Sequence, residues 1–79
     1  MSWNKIKLRD LEKVFNRIFN PESLYGEQAI IYDEALSKSK HFGTTWKEEM
    51  QKVSDNVYLY FIVSVLEEEG MTPDDFKEN

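Results

Sequence analysis

The chain has 79 residues, a net charge of −5 and no cysteine. That leaves room for one domain, 1–79, with a thin core that buries about 60–65% of the unfolded surface, and it excludes disulfides and thiolate metal sites. The longest apolar run, Val57–Leu66, is about half of what a membrane-spanning helix needs, and the first residues lack the apolar run of a signal peptide. A soluble, cytoplasmic protein with no membrane contact is the expectation.

Charge is unevenly placed. Residues 1–19 carry five lysines and arginines against two acids, and residues 41–79 carry three lysines against nine acids. The chain therefore has a basic end and an acidic end.

The first helix is predicted over about 4–19. Leu8, Leu11, Val14, Phe15, Ile18 and Phe19 recur at three- and four-residue spacing, which marks one helical face. Lys5, Arg9, Lys13 and Arg17 stand four residues apart on the opposite face as a straight basic ridge. Like charges at that spacing repel by roughly 0.2–0.5 kcal/mol per pair, which Arg9–Glu12 and Asp10–Lys13 pairs would partly offset. Asn20-Pro21-Glu22 ends this helix and starts another. The second helix is predicted over about 22–38, with Gly26 weakening its first turns by about 1 kcal/mol; a separate short turn at Glu22–Tyr25 is the alternative. Residues 37–44 then read as a loop, broken by Gly43 and anchored by Phe42.

Thr45 with Glu48 forms a capping box for the third and longest helix, predicted over about 45–69. Trp46, Met50, Val53, Val57, Tyr60 (with Phe61) and Ser64 keep one face without a phase slip, which carries the helix through Ser54-Asp55-Asn56. The competing reading is a buried strand at Val57–Leu66, where β-branched and aromatic residues dominate. Gly70 is a stop, and Thr72-Pro73-Asp74-Asp75 starts a short C-terminal helix over about 73–78. The fold class is all-α: three main helices and a short fourth.

Sites of chemistry are sparse. The single histidine, His41, has no cysteine partner and reads as an exposed loop residue. The three glycines are isolated, so no phosphate loop exists. Glu48-Glu49 and Glu67–Glu69 lack a histidine at metal-ligand spacing and read as solvated faces. No catalytic, cofactor or metal residue is assigned, and the chain is expected not to be an enzyme. The third helix carries a second apolar stripe, Tyr58, Leu59, Ile62, Val65 and Leu66, opposite the first. A helix apolar on both sides must be covered on both, so Tyr58, Ile62 and Val65, with the adjoining Glu67, Glu68 and Glu69, form a candidate surface for a protein partner or a second copy of the chain.

The leading expectation is a non-enzymatic, acidic protein-binding module: an inhibitor, adaptor or regulatory subunit docking on a macromolecular partner, with the acidic end steering it towards a basic surface. The alternative is nucleic-acid association through Lys5, Arg9, Lys13 and Arg17. A helix-turn-helix is not supported, because Glu48 and Glu49 stand where a DNA reader needs donors.

Overall fold

A computed structural model describes residues 2–76, and among these the chain is all-α with no strand. Four α-helices form the body: α1 (Leu8–Ile18), α2 (Gly26–Phe42), α3 (Trp46–Val53) and α4 (Asp55–Glu68). Short 3-10 turns lie at Trp3–Lys5, Pro21–Ser23 and Pro73–Phe76. α2 packs chiefly on α3 as a helical hairpin, and α1 packs chiefly on α4. Trp3 meets Glu67 while Glu12 meets Tyr58, so α1 and α4 run antiparallel.

Aromatic rings join the four helices. Phe15 from α1 and Phe19 just beyond it stack at 4.6 Å between centroids. Phe61 of α4 lies 6.0 Å from each of them, and Trp46 of α3 lies 5.6 Å from Phe19 and from Phe61. Tyr32 of α2 closes the group edge-on against Trp46 at 5.3 Å. Leu11, Met50, Tyr58, Ile62, Val65 and Leu66 extend this core, all buried. The Tyr58 hydroxyl donates to the Glu12 carboxylate. Burial, and then that carboxylate, hold the Tyr58 phenol well above its ordinary range, so it remains a protonated donor.

Element boundaries depart from the sequence reading at five places. α1 begins only at Leu8, because Ile6 and Lys7 are extended after the Trp3–Lys5 turn; Lys5 is therefore not on α1. Pro21–Ser23 is a separate 3-10 turn, capped by the Asn20 side chain accepting from the Glu22 N–H at 3.1 Å, and Leu24 and Tyr25 after it are extended. Gly26 then has φ +64°, so glycine's left-handed freedom is used where the chain enters α2. α2 runs on to Phe42 through the stretch expected to be loop. Lys40 and His41 sit in its last turn, where cations suit the helix dipole. Gly43 at φ +69° closes it, with the Thr44 N–H reaching the Ser39 carbonyl at 3.0 Å. Phe42 is exposed rather than folded back as an anchor.

The long third helix is in fact two helices. Ser54 is extended (φ −175°, ψ 141°), and its side chain accepts from the Asn56 N–H at 3.1 Å, capping a new helix. Ser54-Asp55 is thus a helix start rather than a passage. Restarting the helix resets its phase. The buried face of α4 is Tyr58, Phe61, Ile62, Val65 and Leu66, while Val53 and Tyr60, expected inside, are 62% and 50% exposed.

α4 ends in a Schellman closure. Gly70 (φ +79°) donates to the Glu67 carbonyl at 2.9 Å, and Met71 to the Leu66 carbonyl at 3.0 Å, which satisfies the last carbonyls. The C-terminal helix expected over 73–78 is a single 3-10 turn, Pro73–Phe76, with 77–79 outside the described residues. Phe76 packs edge-on against Trp3 at 5.6 Å.

The phase reset is testable by denaturation. Phe61→Ala is expected to cost about 3–5 kcal/mol, a large part of the roughly 4–12 kcal/mol available to a chain of this size. Tyr60→Ala is expected to cost under about 1 kcal/mol. Comparable losses at the two positions would place both on the buried face. Ser54→Ala is expected to cost about 1 kcal/mol through the lost cap.

Candidate functional site

A groove lies between α2 and the α3–α4 junction. Ile31, Ala35, Met50, Val53 and Val57 line it, with Glu34, Lys38 and Glu49, around an open volume of about 240 Å³. Its α2 wall follows from spacing: Ile31, Ala35 and Lys38 lie four and three residues apart on one face. Its opposite wall follows from the break at Ser54. Val53 ends α3 and Val57 lies in the first turn of α4; across the change of direction both line the groove facing α2, with Val57 also packing on the edge of the core.

Glu49 is the unusual member. It is a carboxylate only 4% exposed. Its Oε2 accepts from the Thr44 hydroxyl at 2.6 Å and from the Lys52 ammonium at 2.8 Å. Among the described residues Lys52–Glu49 is the one ion pair. Lys52 first, and then Thr44, hold the Glu49 carboxyl below its ordinary 4.5 against the opposing cost of burial, so it is an anion at neutral pH. Lys52 also lies 5.7 Å above the exposed Phe42 ring.

The other candidate residues fall elsewhere. Tyr58, Ile62 and Val65 are 1%, 0% and 6% exposed. They are core: α1 and α2–α3 together cover the side of Val57–Leu66 that seemed to need a second chain, so these three side chains cannot meet a partner while the fold is intact. Glu67, Glu68 and Glu69 are exposed beside that core, and Glu67 accepts from the Trp3 indole N–H at 3.4 Å. Arg9, Lys13 and Arg17 do share the outer face of α1, all exposed. Among the described residues, neither Arg9–Glu12 nor Asp10–Lys13 forms; Glu12 accepts from Tyr58 instead. Lys47 of α3 reaches this face and donates to Asn16 Oδ1 at 2.9 Å. His41 is exposed on the last turn of α2 beside Phe42. No three His, Cys, Asp or Glu among the described residues are grouped to hold a metal ion, and no helix among them is long and apolar enough to cross a membrane.

Sequence reasoning missed the groove because it treated Glu49 as solvated and Val53 and Val57 as core. One signal was present. Thr44 and Glu49 occupy the two positions flanking the Thr45 cap where an apolar pair usually forms a staple, and here a polar pair takes that role. No family model matches the chain, and no curated protein or solved structure matches it either.

A depressed folded-state carboxyl pKa contributes stability in full above the ordinary 4.5, and the contribution is lost as pH falls through the lower folded value. Glu49→Gln is therefore expected to flatten the decline in melting temperature below pH 4.5. Parallel melting curves for variant and parent from about pH 7 to about pH 3 would show that the Thr44–Glu49–Lys52 network does not hold Glu49 ionised.

Proposed function

We propose that this chain is a non-enzymatic, acidic protein-binding module and that it docks on its partner through the α2–α3–α4 groove. The observation that carries this reading is Val53, an aliphatic side chain 62% exposed at the lip of a groove floored by Met50 and Ala35. At about 240 Å³ the space falls short of the roughly 300–1,000 Å³ usual for substrates and cofactors. It lies between α2 and the α3–α4 junction with an apolar floor, the setting of a groove that takes side chains of a docked segment. Covering Val53, with the half-buried Ile31 and Val57, would contribute on the order of 1 kcal/mol per side chain. The net charge of −5 favours encounter with a basic partner surface.

A second reading is nucleic-acid association through the outer face of α1. One observation favours it: Lys47, held by Asn16, adds a cation from α3 to Arg9, Lys13 and Arg17. Those three residues span about 12 Å of helix.

Variants on the two faces separate the readings. Val53→Glu is expected to abolish retention of the partner on a column of the immobilised protein and to leave the melting temperature within a few degrees, since Val53 is exposed. The Arg9→Glu/Lys13→Glu double variant is expected to retain the partner. The opposite result moves the site to α1. In that case nucleic-acid affinity is expected to fall steeply with salt, and Lys13→Ala is expected to lower the slope by about 1. A partner retained by both variants refutes both readings. Sedimentation of the purified chain distinguishes a foreign partner from a second copy.

A further inference from the structure

We infer that the partner segment taken by this groove is cationic and amphipathic, a helix presenting aliphatic side chains with a lysine or arginine placed to reach Glu49. This inference rests on the docking reading above and names the chemistry it requires.

The argument starts at the two oxygens of Glu49. Thr44 and Lys52 both bond to Oε2, and among the described residues no donor reaches Oε1. No wholly buried side-chain oxygen or nitrogen is left without a partner, so Oε1 keeps an opening to solvent, and Glu49 lines the groove. An ionised carboxylate with two donors on one oxygen and its other oxygen open to solvent, in a groove lined by Met50, Val53 and Ala35, is an acceptor in a mostly apolar setting. A charge-assisted hydrogen bond is stronger there than at an open surface. A neutral, wholly apolar segment would seal Oε1 from water without replacing its hydrogen bonds, which is costly. An acidic segment would add repulsion.

The remaining charges point the same way. Glu34 lies on the α2 wall one turn before Lys38. The groove is thus lined by two acids and one lysine, while Lys52 is already paired to Glu49. Lys38 is exposed and has no ion pair among the described residues. Among the described residues it makes no hydrogen bond or ion pair to Glu49, whose partners are Thr44 and Lys52. The α2 wall from Ile31 to Lys38 runs about 10 Å, the span of roughly two helical turns.

Three labelled helical peptides of about 14 residues provide the probes. Each carries leucines at i, i+4 and i+7, and the polar positions are lysine, glutamine or glutamate. Binding is read by amide and methyl chemical shifts of the full chain. The expected result is that the lysine peptide shifts Ala35, Met50, Val53 and Val57. Glu49→Gln should then weaken it about tenfold or more, and Glu34→Gln and Lys38→Gln should change it about two- to threefold in opposite directions. Glu34 and Lys38 are exposed, so these variants remain informative if Glu49→Gln loosens the fold. Equal binding of the glutamine peptide at the groove overturns the inference and leaves the docking reading standing. Lysine-peptide shifts confined to Glu67–Asp75 overturn it as well. Absence of groove shifts with all three peptides, together with partner retention by Val53→Glu, overturns both.

Discussion

The fold depends on a set of five rings: Phe15, Phe19, Tyr32, Trp46 and Phe61. Each main helix contributes at least one, apart from Phe19, which follows α1 directly. Nine of their pairings fall between 4.6 and 6.3 Å. Such pairs add about 0.5–1.5 kcal/mol each beyond the area they bury. For a chain this short, with no disulfide, that concentration of contacts is what lets α2–α3 and α1–α4 act as one body.

The break at Ser54 follows from the same constraint. Trp46 has to reach Phe15 and Phe19 while Phe61 reaches them from the other side. A straight helix places residues 15 apart about 22 Å from one another along its axis, yet the Trp46 and Phe61 rings are 5.6 Å apart. Only a chain that turns between them satisfies both. Ser54, which can cap the restarting helix with its own hydroxyl, stands where the turn is made. The turn leaves Val53 exposed and Val57 at the edge of the core, and the groove they line is its by-product. Fold and candidate site thus have a common origin in the seating of two aromatic side chains.

Electrostatics then gives the groove its character. An anionic carboxylate is rarely so buried without partners. Glu49 has two, both on one oxygen. Its position is fixed by Thr44 at the start of α3 and by Lys52 one turn later, so the charge sits on a rigid element and not on a loose side chain. By contrast, Arg9, Lys13 and Arg17 stand in water without ion pairs among the described residues, where each contributes little to stability and governs only long-range attraction.

Sequence alone specified the all-α class, the apolar face of α1, the Thr45 cap, the stop at Gly70 and the basic face of α1, because each depends on residues within a turn or two of each other. The length of α2 through Phe42 was not legible, since Gly43 caps a helix as readily as it breaks a loop. The direction of α3 relative to α4 was not legible either. Trp46, Met50, Val53, Val57 and Tyr60 fit an unbroken stripe, and local spacing cannot tell a continuing helix from one that restarts a residue later. Tertiary contact between Trp46 and Phe61 decided it. That contact buried Tyr58, Ile62 and Val65 within the chain, left Val53 and Tyr60 outside, and turned Glu49 from an ordinary surface acid into a buried anion. Local sequence determines which face of a helix is apolar. Which of two apolar faces meets the core is set by partners distant in sequence, and here those partners are aromatic rings on α1 and α2.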